Sequence, residues 1–480
     1  MVHRPSKYQR EIYDFVKKGK GNGIVEAVAG SGKTTTIVHA TNLIPKKHKI
    51  IFLSFNKSIK EELKRKLPKN VRASTLHQLG KSMFYQNNLH NHVVDKKKMD
   101  NLIDKKLRNY EEPEKTFLTY FLKDTVRKVK LSMCDVTKEG IESLPNVYDE
   151  VTPLKLRLIQ DLLNESIAMP NVIDFADMIW IPVKKQFEYT KYDWVFVDEV
   201  QDLSRTQFEL IKLICDDHTR IITVGDSKQS MYGFRMADID SMKNFKEYFE
   251  AKDYPLSICY RCPKKVVKMA QRIVPQIEPW EKSEEGIIKN ISFDQMIQEV
   301  QEGDMLICRT NAPLVKVVHQ LIRMGKKSKI RGTDMQQRLF NTIKYMNPQS
   351  MADLRDKVGQ RLIHYRGKLT PETEYHEKKR LEGRIDLHET LLYFMRDANN
   401  LLQLKDNIDR LYSEDGGAIN CSTIHKVKGL EADRVFVYRY DLMPHPMANT
   451  DRELQEEKNI EYVAITRAKK ELYLIMDPEW

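Results

Sequence analysis

Seven short runs of apolar residues punctuate the chain: Gly23–Ala29, Ile50–Phe55, Trp194–Val197, Ile221–Val224, Met305–Cys308, Val435–Tyr438 and Leu472–Ile475. They are rich in β-branched and aromatic side chains, are apolar almost throughout, and end in polar or glycine-containing punctuation. A strand with one wet face alternates. An unbroken apolar strand needs cover on both faces, the condition inside a parallel sheet flanked by helices. The grouping of the runs predicts two separate α/β units.

Between the runs lie two stretches of helical character. Residues 85–170 are rich in Lys, Leu, Glu and Asn, with breaks at Pro113, Pro145 and Pro153, and residues 346–404 are highly charged, punctuated by Pro348 and Pro371. Both read as helical insertions. The expected organisation is a first unit over 1–84 and 172–250 interrupted by 85–171, and a second over 251–345 and 405–480 interrupted by 346–404. The fold class is therefore α/β: two parallel-sheet domains in tandem, each with a mainly helical insertion. No internal repeat or long low-complexity tract is present.

With 41% apolar and 31% charged residues in 480, the chain can bury real cores, which excludes wholesale disorder. No stretch approaches the ~18–20 continuous apolar residues of a membrane-spanning helix, and no apolar signal core opens the sequence. Six cysteines do not make a disulfide framework. The expectation is a soluble, reduced, intracellular (cytoplasmic) protein without membrane partners. The net charge of +12 is uneven: residues 1–80 carry 17 Lys/Arg against 5 Asp/Glu, residues 171–250 carry 10 against 15. A basic segment suits a polyanion, nucleic acid or nucleotide phosphate, although a solvated lysine-rich surface fits charge alone as well.

Candidate chemistry begins at Ile24-Val-Glu-Ala-Val-Ala-Gly-Ser-Gly-Lys-Thr34: an apolar strand, a loop of small residues, then a helix start. Backbone N–H groups of Ala29, Gly30, Ser31, Gly32, Lys33, Thr34 and Thr35 would cradle phosphates at the positive end of the helix dipole. Lys33 would reach the β- and γ-phosphates and the Thr34 hydroxyl would ligate Mg²⁺. The usual pattern opens with glycine where this chain has Ala27, but Gly30 and Gly32 stand where the backbone bends. A second buried run ends in Asp198-Glu-Val-Gln-Asp202. Carboxylates at a strand's C-terminal end sit where α/β sheets bind ligands; Asp198 would hold Mg²⁺ and Glu199 would orient or deprotonate an attacking water. Together the two signals predict an NTPase.

Further segments resemble the ordered motifs of superfamily 1A helicases of the UvrD/Rep/PcrA group. They are Asp198–Asp202 and Val224-Gly-Asp-Ser-Lys-Gln-Ser-Met-Tyr-Gly-Phe-Arg235 (motifs II and III), and Leu256-Ser-Ile-Cys-Tyr-Arg261 (motif IV). Ser422-Thr-Ile-His-Lys-Val-Lys-Gly-Leu-Glu431 resembles motif V and Glu461-Tyr-Val-Ala-Ile-Thr-Arg-Ala468 motif VI. Phe55-Asn-Lys57 and Asp174-Phe-Ala-Asp-Met178 look more like the compact phage members and the F-box DNA helicases.

The resemblance implies two RecA-like domains with ATP in the cleft between them. Gln9 is then the adenine-reading glutamine, Tyr260 the aromatic on adenine and Glu431 the ribose contact. Gln229 and Arg261 become γ-phosphate sensors and Arg467 an arginine finger. Phe55 and Phe234 are the implied base-stacking residues, with Thr75, His77, Arg235 and His425 lining the strand. It further implies 3′→5′ travel on single-stranded DNA and engagement of single-strand/duplex junctions. The stretch 346–404 is shorter than the second insertion of the larger relatives, which motivates an alternative: a translocase that strips bound proteins and unwinds poorly. An idle nucleic-acid scaffold is disfavoured by the complete set Lys33, Asp198, Glu199, Gln229, Arg261 and Arg467.

Cys259-x-x-Cys262 has metal or redox spacing but no second pair nearby, and is expected to be structural. The runs Lys96–Lys98 and Arg127–Lys130 are expected to be solvated helix faces. No nuclease segment is expected, because the last predicted strand closes the sequence.

Overall fold

The computed structural model describes residues 4–54, 57–112, 114–144, 147, 150–169, 171–230, 241–370, 373, 375–413, 418–446 and 448–477. The chain forms two compact units, 1–257 and 258–480. The first is built on a six-stranded parallel sheet in the order Val71–Thr75, Ile50–Ser54, Trp194–Val197, Arg220–Gly225, Gly23–Ala27, Lys252–Leu256. Successive residues of its inner strands point into two different cores. Ile50, Phe52, Trp194, Phe196, Ile222 and Val224 join one cluster, and Ile51, Leu53, Val195, Val197 and Ile221 the other. Burial on both faces is why these strands read as continuous apolar runs. Lys252–Leu256 pairs with Gly23–Ala27, so the first unit extends past the expected boundary at 250.

The second unit holds a seven-stranded parallel sheet in the order Ile287–Asn290, Ala468–Ile475, Ala432–Tyr438, Met305–Cys308, Ile419–Thr423, Ser328–Arg331, Tyr412–Ser413. A separate two-stranded pair, Ile258–Cys259 with Glu278–Pro279, precedes it. The fold class is α/β with two parallel sheets in tandem, as the apolar runs predict.

Each helical stretch shares a core with its sheet. In the first unit Ile103, Leu122 and Val126 pack in one cluster with Ile51, Leu53 and Val195. In the second, Leu354, Val358 and Phe394 pack with Leu306, Ile330 and Phe436. Charge is buried with them, and here the expectation of solvated lysine faces holds for Lys96, Lys97 and Arg127, which are exposed, but fails for Lys98, Lys128 and Lys130. Lys98 and Lys130, each 1% exposed at the side chain, both donate to the fully buried Asp177 at 2.6 Å. Lys128 is buried as well and ion-pairs with Asp124. Two ammonium groups on one carboxylate, with Ser166 adding its hydroxyl at 3.0 Å, satisfy charges that isolated burial would make very costly. In the second unit Lys378 meets Glu453 at 3.0 Å, both 1% exposed, and the Asn311 backbone and side chain donate to Asp386 at 2.9 and 2.8 Å.

Candidate nucleotide and strand site

Three adjacent strands of the first sheet, Trp194–Val197, Arg220–Gly225 and Gly23–Ala27, are parallel, so their C-terminal ends share one edge. Asp198 and Glu199 follow the first, Asp226 the second, and the loop 28–32 the third. In that loop Gly30 (φ 66°) and Gly32 (φ 75°) are left-handed, a conformation that costs glycine little. Lys33 then opens the helix Lys33–Thr41.

The Lys33 ammonium lies 3.2 Å from Glu199 Oε1, and Thr34 Oγ1 donates to Asp198 Oδ2 at 3.4 Å. Burial alone would lower the Lys33 pKa, but the charges of Glu199, Asp226 and Asp198 outweigh it and raise it. Burial, with the Glu199 charge beside it, pushes the Asp198 carboxyl up to about 7, and burial pushes Asp226 up to about 6. Carboxylates so reluctant to ionise mark a place that accepts added positive charge. Ser31 Oγ in the loop is buried without a hydrogen-bond partner, an orphan that a phosphate oxygen would satisfy. A hydroxyl beside a carboxylate is a hard-oxygen donor pair suited to Mg²⁺, which takes one or two protein carboxylates plus substrate phosphates. The residues present therefore fit both groups.

Gln9 has a different local job. It closes the capping box of the helix Lys7–Lys18, accepting from the Ser6 N–H at 3.0 Å, while its Nε2 donates to Thr36 Oγ1 at 2.9 Å. Thr36 in turn donates to the Gly32 carbonyl at 2.9 Å, so Gln9 braces the phosphate loop from behind. Gln229 donates to the Asp226 carboxylate at 2.6 Å. Ala29 is buried and Thr35 exposed. The sequence reading missed Asp226 and also Gln201, whose amide bridges Glu199 and the Asp226 backbone.

In the second unit Glu431 and Arg467 immediately precede Ala432–Tyr438 and Ala468–Ile475, whose first residues are in register. Both therefore stand at the N-terminal edge of that sheet. Arg261 ion-pairs with Glu431 and donates from Nη1 to the Thr466 carbonyl at 3.3 Å. Arg467, 1% exposed, donates to the carbonyls of Val463 and Leu430 at 3.0 Å each and to Thr466 Oγ1 at 3.3 Å. Arg261 and Arg467 thus meet at Thr466, and Glu431 joins them through Arg261. Tyr260 is half-buried, its ring 5.8 Å from that of Trp280. Cys259 and Cys262 are free and buried, the Cys262 N–H donating to Cys259 Sγ at 3.4 Å.

Of the strand-contact candidates, Phe55, Phe234 and Arg235 lie outside the described residues. Thr75 is buried and caps the helix Leu76–Gln86. His77 is half-buried, and burial lowers its pKa. His425 begins beyond the C-terminal end of Ile419–Thr423, the edge of the second sheet opposite Glu431 and Arg467. Phe175, not singled out as a contact from sequence, is 49% exposed, sits edge-on to His77 at 5.9 Å, and has Lys96 5.8 Å above its ring.

Comparison with known proteins agrees with the motif order. Residues 8–250 match the family model of the UvrD/REP helicase N-terminal domain, and 418–475 match the UvrD-like helicase C-terminal domain. The chain is 26% identical to F-box DNA helicase protein 1 of Schizosaccharomyces pombe, over 94% of this chain but 55% of that protein. It is 23% identical to the ATP-dependent DNA helicase PcrA of Bacillus subtilis, over 96% of this chain and 81% of that one. The first model alone spans half of the sequence, through the phosphate loop, Asp198–Asp202 and Gln229: the chain belongs to the UvrD/REP helicase family.

Proposed function

We propose that this protein is an ATP-dependent DNA helicase that moves 3′→5′ along single-stranded DNA and unwinds duplex, acting inside the cell at single-strand/duplex junctions. The observation that carries the reading is the meeting of Lys33, Thr34, Asp198 and Glu199 at one sheet edge of a UvrD/REP-family unit. ATP hydrolysis loads charge onto phosphate oxygens, so catalysis is mostly positioning and electrostatic stabilisation. In this reading Lys33 neutralises the β- and γ-phosphates and the backbone of 29–35 cradles them. Glu199 orients or deprotonates the attacking water, and Gln229 senses the γ-phosphate. Thr34 and Asp198 would hold Mg²⁺, which when bound neutralises charge on the phosphate oxygens. Arg261 and Arg467 supply guanidinium groups toward the transition state, Tyr260 stacks on the base, Gln9 reads adenine and Glu431 meets the ribose. Thr75, His77 and His425 line the strand together with Phe175, and on sequence alone Phe55, Phe234 and Arg235 join them.

The test is ATP turnover measured in parallel with single-stranded DNA, duplex DNA and single-stranded RNA, followed by strand displacement. Stimulation by single-stranded DNA is the expected result, and turnover indifferent to nucleic acid would overturn the reading. A second reading, a translocase that displaces bound proteins and unwinds weakly, is favoured by the second insertion's shared core and buried ion pair with its sheet unit. Streptavidin displacement beside strand displacement separates the two; efficient unwinding by monomers removes the second.

A further inference from the structure

Gln201 lies in the middle of the nucleotide machinery without belonging to the set already assigned. It is 3% exposed, and both ends of its amide are engaged across two different loops. Its Nε2 donates to Glu199 Oε2, and its Oε1 accepts the backbone N–H of Asp226 at 3.1 Å. Asp226 in turn holds Gln229 and accepts the Lys228 N–H at 3.1 Å. One continuous chain of polar contacts therefore runs Lys33, Glu199, Gln201, Asp226, Gln229.

Two independent features show how tightly this link is built. Glu199 sits at φ 53°, in the left-handed region, where a residue with a Cβ persists only if its surroundings hold it there. Gly225 has no room for a side chain: a Cβ would fall 2.4 Å from Gln201 Oε1 and 2.8 Å from Val200 Cγ1. The backbone at 225 is cut away to let the amide through.

We propose that Gln201 is a positioning residue for ATP hydrolysis, fixing the Glu199 carboxylate and locking the loop of Asp198 and Glu199 to the loop of Asp226 and Gln229. This deepens the helicase reading and rests on it. The Lys33 ammonium lies against both oxygens of Glu199, 3.2 Å from Oε1 and 3.3 Å from Oε2, but as a compact charge with rotatable donors it sets no plane of its own. A second donor on Oε2 fixes the plane of the group, which a residue orienting a water requires. Because Gln201 reaches the nucleotide only through Glu199 and the Asp226 loop, its loss should slow turnover without weakening ATP binding.

The experiment is steady-state ATPase kinetics with saturating oligo(dT) on the intact 480-residue chain and on Gln201→Leu, Gln201→Ala, Gln201→Glu and Gly225→Ala. A misplacement of this kind costs up to about 10²-fold in rate, so kcat should fall roughly 10- to 100-fold with KM for ATP within about threefold. Gln201→Glu preserves the acceptor for the Asp226 N–H but sets a carboxylate against Glu199, and should fall at least as far as Gln201→Leu. Being isosteric, it also serves if Gln201→Leu does not fold. Gly225→Ala should reproduce the loss by displacing the amide, and combining it with Gln201→Ala should cost less than the sum of the two single changes. Wild-type kcat in Gln201→Glu, a KM rising in step with the fall in kcat, or strict additivity of the pair would overturn the proposal. Lys33→Ala separates the layers: turnover surviving that change defeats the NTPase reading, whereas Lys33→Ala inactive with Gln201→Glu normal defeats only the role of Gln201.

Discussion

The two units use their sheets in opposite senses. In the first, the candidate residues stand at the C-terminal edge, where backbone N–H groups of a loop and a helix start face outward and ligands of open α/β sheets are held. In the second, Glu431 and Arg467 stand at the N-terminal edge, each just before its strand, with a single left-handed glycine, Gly429 (φ 83°), in the loop before Glu431. The first unit thus brings a backbone cradle, and a lysine already surrounded by acids. The second brings arginine side chains, and those are occupied: Arg261 by Glu431, Arg467 by carbonyls of its own unit. In the proposed reading affinity for phosphate belongs to the first unit, and the second would act only where a developing charge outcompetes the contacts its arginines already make. That division suits a motor, in which binding and hydrolysis must be separable steps.

The largest effect should come from emptying the cradle. Lys33→Ala is expected to lower ATP turnover by at least about 10³-fold while single-strand affinity stays within about twofold, read by ATPase kinetics and fluorescence anisotropy. Next come the arginines. Arg261→Lys should reduce kcat by about 10²–10³-fold with ATP affinity nearly unchanged, because a lysine cannot reproduce the planar fork. Arg467→Lys should do the same and also lower the melting temperature, since its guanidinium is buried against carbonyls and Arg261 is half-buried. Wild-type kcat in both variants would mean that the first unit suffices by itself, and the contrast between the units would lose its functional content.

What could be read in advance follows from where each signal lives. The inner strands were legible because burial on both faces writes an unbroken apolar run. The strands Val71–Thr75, Lys252–Leu256, Ile287–Asn290 and Ser328–Arg331 were not, because each lies at or near a sheet margin and carries charge: Arg72, Asp253, Lys289, Lys329. Ile419–Thr423 is internal yet mixes in Asn420 and Ser422, so periodicity misses it too. Lys33, Thr34, Asp198 and Glu199 stood out because chemistry placed just after a strand inherits the strand's position. Gln201 meets Asp226 across 25 residues, and Lys98 meets Asp177 across 79, distances at which a single sequence records no pairing. A lysine run on a helix looks the same whether solvent or a buried carboxylate receives it.

Acid should separate the units in stability as the arginines separate them in chemistry. In the second unit, burial lowers the His388 pKa to about 4; its Nδ1 is 2.7 Å from the Arg384 carbonyl, and its Nε2 is buried without a partner. The unfolded state binds the proton near pH 6.5 and the folded state does not, so stability is lost as pH falls from about 6.5 toward 4, by about 2 kcal/mol at pH 5. Asp198 and Asp226 in the first unit have raised values, about 7 and about 6. There the folded state takes up protons first, and stability rises as pH falls through the same range. Calorimetry of nucleotide- and metal-free protein between pH 7 and 5 should show the second unit's transition moving down in wild type, against the first unit's moving up, but nearly stationary in His388→Gln. Coincident pH profiles for the two proteins would remove His388 as the cause.

The smallest expected effect bears most directly on what the Arg261 contact is for. Glu431 is 41% exposed at its side chain and Arg261 19%, so their ion pair is screened by water and worth at most about 1 kcal/mol, a factor of about five. Glu431→Gln should leave kcat within about twofold and raise KM for ATP by about threefold, as loss of a ribose contact does. The opposite pattern, kcat falling at constant KM, would mean that Glu431 acts through Arg261, holding the guanidinium in the place from which it works. The second unit would then own a prearranged device of its own, and the asymmetry between a built cradle and borrowed side chains would narrow to a difference of degree. Steady-state kinetics over a range of salt decides between them, because a screened ion pair weakens as ionic strength rises and a hydroxyl–carboxylate contact to a sugar does so far less.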